Sequence, residues 1–489
     1  LQENLMSRSL FSILLLALIV FADGTNTFAA DTKQPNVLFI AVDDLNDWVS
    51  CLGGHPDCKT PNIDRLASRG VLFTNAHCAA PACNPSRAAL MTGIRPSNSG
   101  VYLNSQPWRP VMKDVVTLPQ HFRKHGYQAI GSGKIFHGRY NDPDSWDDYL
   151  KQTGDPKPTP AVLNDPHSRA GTIIWGVLDV EDREMSDYKM ANYAINYLGE
   201  KHEKPFFLAC GIYRPHMPWQ VPRKYYDMYP LDQIQLPKVL ENDLDDIPAA
   251  GVRMARPRGD HAKILKTDNW RYSVQAYLAS ITFADVQVGR VLDALDASSY
   301  ADNTIVVLWG DHGWHLGEKH HWRKFSLWEE ATRAPLMMVV PGVTEAGSRC
   351  KQAVDFMNVY PTLCELCTLP IGKHLDGVSM VPLLKDPAKT WDRPALTTHG
   401  RLNHAVRSNQ YRLIRYKDGS EELYDHAHDP REWKNLADDP QYKAVKQQLA
   451  KSFPVKNAAD APHDDSRGGK QKQKKKQQGK GKQKKNAGK

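Results

Sequence analysis

The run Cys83-Asn84-Pro85-Ser86-Arg87 holds a thiol, a good helix cap, a proline and a guanidinium within five residues. Asn84 can cap a helix and Pro85 suits its first turn, where no backbone donor is lost, so a helix is expected over residues 84–91 with Cys83 at its N-terminus. Free N–H groups and the positive dipole end attract an anion there, and Arg87, one turn along, adds a full charge. An anionic substrate follows from these residues alone. Asp43-Asp44 closes one apolar run and Asp311-His312 closes another. Adjacent carboxylates at the end of a buried strand repel unless protons or a cation intervene, and a hard divalent ion favours carboxylate oxygens. Lys134 and His137 stand three apart, His216 lies between Pro215 and Pro218, and Lys324 sits in a polar loop. The same loop carries His312, His315, His320 and His321, a crowding that raises zinc as a second reading. Its spacing fits neither HExxH nor a finger, while the three acids offer oxygen ligands.

Such residues must be brought together by a fold. Continuous apolar runs at residues 36–42, 127–130, 205–210, 304–309 and 334–340 have the character of strands buried on both faces, and helical patterns at 186–198 and 270–295 separate them. Strands alternating with helices predict an α/β fold with a mostly parallel sheet sandwiched by helices. Ligands in such sheets bind beyond the carboxyl ends of the strands. Asp43 and Asp44 follow the first run, Lys134 and His137 the second, His216 the third, and Asp311 with His312 the fourth. From residue 393 the pattern changes to short alternating stretches at 405–406, 411–416 and 422–424 with a tight turn at Asp418-Gly419, predicting a smaller antiparallel subdomain.

With 489 residues, 41% hydrophobic and 24% charged, the chain has an ordinary globular balance, which excludes collagen-like, coiled-coil and wholly disordered classes. The net charge of +8 belongs to one end: residues 467–489 hold one Arg, ten Lys and no acid, so the remainder carries −3. That distribution argues against a nucleic-acid-binding body and leaves a Lys-rich tail able to bind polyanions. Arg8 precedes an apolar run at residues 10–21, too short for a membrane span, followed by small and polar residues, which reads as an export signal and a periplasmic or secreted protein. Eight cysteines are too sparse for a disulfide framework, though one or two bridges stay open, and Cys364 and Cys367 fit buried helix packing better than zinc or redox chemistry.

The pentapeptide at 83–87 resembles the signature of the type I sulfatases, in which the cysteine is oxidised to formylglycine. The likeness continues through residues 60–73 (TPNIDRLASRGVLF), 93–95, 133–134, 310–313 and 423–436 (LYDHAHDPREWKNL). The phrases AVDDLNDW, GKIFH, YRPHMPW and GDHGWHLGEKHHWRKFS are most similar to the iduronate 2-sulfatase branch. The resemblance implies an alkaline-phosphatase-like fold and a sulfuric ester hydrolase acting on a sulfated sugar or polysaccharide. It implies a Ca2+ held by Asp43, Asp44, Asp311, His312 and the formylglycine made from Cys83 by a maturation enzyme. It places Arg87, Lys134 and Lys324 on the sulfate oxygens, and gives His137 and His216 the proton transfers, with the two roles exchangeable. His315 replaces the small residue expected in the family phrase, and Lys319-His320-His321 departs from its usual pattern, which bears on substrate preference. The expected organisation is a signal peptide (1–30), a catalytic domain (31–388), an α+β subdomain (389–460) and a disordered Lys-rich tail (461–489). A phosphate or phosphonate ester hydrolase of the same superfamily and a catalytically silent polyanion-binding protein are the alternatives.

Overall fold

The computed structural model describes residues 34–464. The expected signal at 1–30 and the Lys-rich run from Arg467 lie outside the described residues. The described residues from Pro35 to 464 form one compact unit. Among the described residues no helix is long and apolar enough to cross a membrane.

Apolar runs with no polar face become strands covered on both sides. The central sheet contains β1 (Asn36–Val42), β2 (Val71–Phe73), β3 (Gln128–Gly133), β4 (Asp148–Lys151), β5 (Phe206–Ile212), β6 (Thr304–Gly310), β7 (Leu336–Val339) and β8 (Ser348–Cys350). Its order is β8-β2-β7-β6-β1-β5-β3-β4. β7 pairs antiparallel with both neighbours and every other pairing is parallel, so seven strands end at the same edge. All five apolar runs recognised in the sequence are strands of this sheet. β2, β4 and β8 add only three or four residues each and carry too little pattern to be read from sequence.

Alternate residues of β1 point to opposite layers. Leu38, Ile40 and Val42 share a core with Ala191 and Leu198 of helix α2 (Ser186–Leu198) and with Ile281 and Leu292 of helix α3 (Trp270–Asp296). Val37, Phe39 and Ala41 pack on the other side with Leu90, Phe122 and Leu363. The glycines at the edge permit close approach: a Cβ on Gly133, at φ 74°, would lie 1.9 Å from the Gly211 carbonyl oxygen. Lys134 follows directly, so this contact between the ends of β3 and β5 fixes where its backbone leaves the sheet. All eight cysteines are free, so the bridges left open by the sequence do not form, and Cys364 and Cys367 are buried in apolar packing.

The smaller sheet is antiparallel and comprises β9 (Ala395–Thr398), β10 (His404–Arg407), β11 (Tyr411–Arg415) and β12 (Glu421–Asp425). Gly419, at φ 86°, closes the turn between the last two strands. Ala405, Ile414 and Tyr424 share a core with Leu327 and Trp328, which lie just beyond Lys324. Beneath them Arg412 is fully buried and donates to Glu329, to Glu432 at 2.5 Å and to the Leu327 carbonyl at 3.1 Å. The subdomain therefore braces a loop of the catalytic layer instead of standing apart from it. Removing one member of a buried charge network leaves its partners uncompensated. Arg412→Leu is expected to cost about 3–5 kcal/mol in urea unfolding, and a loss under about 1 kcal/mol would contradict this bracing role.

Candidate active site

Seven strands ending at one edge deliver their following residues to one place. Asp43 N–H donates to the Ile212 carbonyl at 3.0 Å, and Asp311 N–H donates to the Val42 carbonyl at 3.3 Å, so the ends of β5, β1 and β6 are stitched in register. Asp44 takes φ 58°, a left-handed conformation that a short polar side chain tolerates better than a branched one. Its N–H donates to Asp311 Oδ1 at 2.9 Å, and its carbonyl accepts from the Tyr277 hydroxyl of α3 at 2.7 Å. Three carboxylates are thereby fixed side by side with no exposed surface.

Their repulsion is met by three cations. Arg87 lies in helix α1 (Cys83–Thr92), with Nε donating to Asp311 Oδ2 at 2.8 Å and an Nη donating to Asp43 Oδ1 at 3.0 Å. Its other Nη donates to the carbonyls of Lys134 and Ile135. A planar fork satisfies this bridging pattern and a point charge does not. The Arg87 guanidinium, expected to bind sulfate oxygens, is fully buried and engaged with carboxylates and carbonyls, a geometry that positions the acids. Lys134 Nζ donates to Asp43, while Lys324 Nζ donates to Asp44 at 2.5 Å and lies 3.1 Å from Cys83 Sγ.

Cys83 opens α1 and is completely buried. Burial raises its pKa, but Lys134, Lys324 and His312 outweigh that effect and hold the thiol well below its ordinary value. Burial and the neighbouring Asp43 push Asp311 up to about 6, with Arg87 opposing them. Asn84 does not cap α1, contrary to the sequence reading. The cap position is Ala82, without a side-chain bond, and Asn84 is inside the helix. Its Nδ2 donates to the carbonyls of Leu103 and Gln106, and its N–H donates to Asn104 Oδ1 at 2.9 Å. Ser86 N–H is bonded to the Ala82 carbonyl and Pro85 has no donor, so these three positions offer an anion nothing. Positive charge facing Cys83 comes from Lys134, Lys324 and His312 more than from helix donors.

The histidines divide into two groups. His312 Nδ1–H donates to the Gly313 carbonyl at 3.0 Å, leaving Nε2 facing Cys83 Sγ at 3.3 Å and Asp44 Oδ1 at 3.4 Å. The His137 ring is hydrogen-bonded to Cys83, and its Nδ1 is buried without a partner. Burial lowers the His137 pKa, so the ring is neutral at pH 7. His216 Nδ1–H donates to the Met217 carbonyl at 2.6 Å, and Nε2 lies 3.9 Å from Asp44 Oδ2. With 24% of its side chain exposed, His216 stands on the open side of the site. His315, His320 and His321 are not ligands in waiting. Among the described residues they belong to no metal-sized group. His315 bonds Ser326 Oγ at 2.8 Å and His321 bonds the Lys324 carbonyl at 2.8 Å, so both brace the Lys324 loop.

A divalent ion fits the acidic cradle. Potential ligand atoms of Asp44, Cys83, Asp311 and His312 lie within 4.8 Å of one another, and so do those of Asp43, Asp44, Cys83 and His216. Asp44 Oδ2 is buried without a hydrogen-bond partner, an unmet acceptor pointing to a cation. The donor set is rich in hard oxygens. Glu329, His426 and Glu432 form another acidic group, but Arg407 and Arg412 already pair it.

Supporting residues invisible as motifs complete the site. Asp187 accepts from the N–H groups of Tyr213 and Arg214, both at 2.8 Å, setting the turn that presents His216. Gln106 holds the 102–103 turn through Oε1 and donates to the Ala461 carbonyl at 2.9 Å. Residues 458–464 run along the 97–105 loop, bonded from Ala458 to Ser97, from Ala461 to Gly100 and from Asp464 to Ser105. The first residues of the expected tail are thus a strap over the loop that holds Asn84. A cavity of about 930 Å³ opens at the opposite edge, where β3 begins, away from all of this chemistry.

A cysteine at the carboxyl edge of a parallel sheet, beside interleaved carboxylates and ammonium groups that fit a divalent ion, is the arrangement expected of a hydrolase of anionic esters. Residues 35–369 match the Sulfatase family model, and residues 317–458 match that of the N-sulphoglucosamine sulphohydrolase C-terminal region. The chain is 41% identical over 450 residues to a sulfatase of Formosa agariphila, covering 88% of each chain. It is 33% identical over 401 residues to iduronate 2-sulfatase of Homo sapiens, covering 76% of this chain and 71% of that one. A solved structure of a protein in complex with its substrate D-glucosamine-2-N,6-O-disulfate shares the fold, with TM-score 0.70 and 22% identity over 86% of this chain and 96% of that one. The chain belongs to the sulfatase family and is a sulfuric ester hydrolase with an alkaline-phosphatase-like fold.

Arg87→Lys keeps the charge but not the fork between Asp43 and Asp311. It is expected to retain normal far-UV circular dichroism and lose at least about 100-fold in kcat/KM, whereas retention of a tenth of the activity would contradict the positioning role. A second expectation concerns Asp187, whose carboxyl burial lifts to about 7. The native state holds that proton longer than the unfolded chain, so the stabilisation is complete below about pH 4 and disappears as pH rises to about 7. The thermal midpoint of Asp187→Asn should therefore fall less between about pH 5 and about pH 8 than that of the wild type, and parallel profiles would contradict the assignment.

Proposed function

We propose that the protein hydrolyses sulfate esters of a sulfated sugar or polysaccharide, with formylglycine made from Cys83 as nucleophile and Ca2+ as the resident ion. The observation carrying this reading is Cys83 lying 3.1 Å from the Lys324 ammonium and 3.3 Å from His312 Nε2, at the rim of the three-carboxylate cradle. Relatives named for sulfated sugars support the substrate class, among them the human iduronate 2-sulfatase.

Asp43, Asp44, Asp311 and His312 would hold the calcium, which supplies charge neutralisation and Lewis-acid polarisation for attack at sulfur. An oxidising maturation enzyme converts the Cys83 thiol to an aldehyde. Hydrated, that aldehyde supplies one hydroxyl to displace the sugar alcohol at sulfur and another whose deprotonation releases sulfate as the carbonyl re-forms. Lys134 and Lys324 then balance charge on the sulfate oxygens; Asp43 and Asp44 hold both ammonium groups above their ordinary pKa despite burial, so they stay charged. Arg87 keeps Asp43 and Asp311 in place through the reaction. His216, on the open side with Nε2 facing inward, delivers a proton to the departing sugar oxygen. His137, kept neutral by burial and bonded to position 83, accepts a proton from that residue.

The reading includes an exported enzyme and a Lys-rich stretch from Arg467 that holds sulfated polymers electrostatically. Deleting residues 467–489 should raise KM for a sulfated polysaccharide at low ionic strength and leave an aryl sulfate unaffected. Equal KM values for the polymer would remove the tail from the account.

The test of the reaction is peptide mass analysis of active protein combined with turnover on sulfated mono- and disaccharides and on matched phosphate and phosphonate esters. We expect an aldehyde at position 83, sulfated sugars as the preferred substrates and no turnover by Cys83→Ala. An unmodified thiol in fully active protein, or preferential phosphonate hydrolysis, would overturn the proposal.

A further inference from the structure

The loop that delivers Lys324 also borders a second, basic recess. Lys319, His320, Arg323 and Phe325 have φ between 50 and 78°, a run of left-handed non-glycine positions of the kind that clusters at ligand clamps. Arg323 and Phe325, on either side of Lys324, line a cavity of about 280 Å³ together with Arg256, Asp260 and Lys263. The Phe325 ring centre is 5.8 Å from Lys324 Nζ, so the cavity starts one side chain away from the group that touches Cys83.

Its charges are unbalanced. Arg323 Nε donates to Asp260 Oδ2 at 2.7 Å and an Nη donates to Thr172 Oγ1 at 2.5 Å, which fixes the guanidinium against one wall. Lys263 Nζ lies 4.0 Å from the other oxygen of Asp260. Asp260 is thus shared, and burial keeps the adjacent His321 neutral. Arg256 ends a helix at φ 53° and is exposed; its backbone bonds Val252 and Gly259, while its guanidinium makes no hydrogen bond or ion pair with the described residues. Three full cations against one carboxylate leave two positive charges uncompensated. The hydrolytic chemistry uses none of these residues.

Sulfated polysaccharides carry further sulfates or carboxylates on neighbouring units, and a guanidinium recognises either by paired N–H bonds. We propose that this recess binds a second anionic group, sulfate or carboxylate, on the sugar unit next to the one whose ester is cleaved, with Arg256 as the specificity-determining contact. The inference rests on the sulfated-sugar reading above and names a subsite for it.

The test uses matured, ion-loaded enzyme on three probes: a 2-O-sulfated uronate disaccharide with a sulfate on its neighbouring glucosamine, the same disaccharide without that second sulfate, and 4-nitrophenyl sulfate. The wild type should prefer the doubly sulfated probe through KM. Arg256→Ala should raise KM for that probe about tenfold at low ionic strength, leave kcat unchanged and leave 4-nitrophenyl sulfate kinetics at wild-type values. Arg256→Lys, which keeps the charge, should recover part of the loss. Equal wild-type KM values for the two disaccharides, or an Arg256→Ala enzyme with unchanged selectivity, would overturn the subsite. A wild type that cleaves neither disaccharide but turns over 4-nitrophenyl sulfate would instead overturn the sugar reading, and the subsite with it.

Discussion

Three carboxylates held at the ends of neighbouring strands are the constraint around which this molecule is arranged. Asp43, Asp44 and Asp311 have no exposed surface, and buried like charges at such range are unstable without compensation. Arg87 bridges two of them, Lys134 and Lys324 each take one, and Asp44 Oδ2 still has no partner. Several elements supply this balance. β1 and β6 bring the acids, β3 brings Lys134, α1 brings Arg87 with Cys83, and the small antiparallel sheet supports the loop carrying Lys324. The smaller subdomain is therefore electrostatically part of the site although its strands contribute none of the reacting groups.

The same cluster sets the surroundings of Cys83. Cys83 is surrounded by the cations that the carboxylates hold in place, so its low thiol pKa is a by-product of acids placed for another purpose. Helix N-terminal donors contribute less than the sequence implies, because Asn104 takes the Asn84 N–H and Ser86 is bonded to Ala82. The two histidines beside Cys83 and Asp44 have different surroundings. His137 is hydrogen-bonded to Cys83 with its Nδ1 buried, whereas the His216 side chain is 24% exposed.

Much of this was legible from residue types. Runs such as Thr304–Gly310 are apolar at nearly every position, and only a strand covered on both faces accommodates that pattern. The polar residues immediately after each run then had to meet, because parallel strands end together. The partners of Arg87 were not legible: sequence gives its charge and its distance from Cys83, but not that Asp43 and Asp311 reach it. Asn84 was misassigned because its side chain finds the carbonyls of Leu103 and Gln106 across the chain, a contact that outcompetes local capping. Asp187, Gln106 and the 458–464 strap act only through tertiary hydrogen bonds and leave no local signature. β2 and β8 escaped notice because strands of three residues have no period to detect.

Calorimetric titration of matured, chelator-stripped protein with Ca2+ tests the carboxylate cluster most directly. The account predicts a single tight site in the wild type and loss of most of that affinity in Asp44→Asn, with the folded structure retained. A wild type that binds no divalent ion, or an Asp44→Asn protein that binds it as tightly as the wild type, would contradict the account.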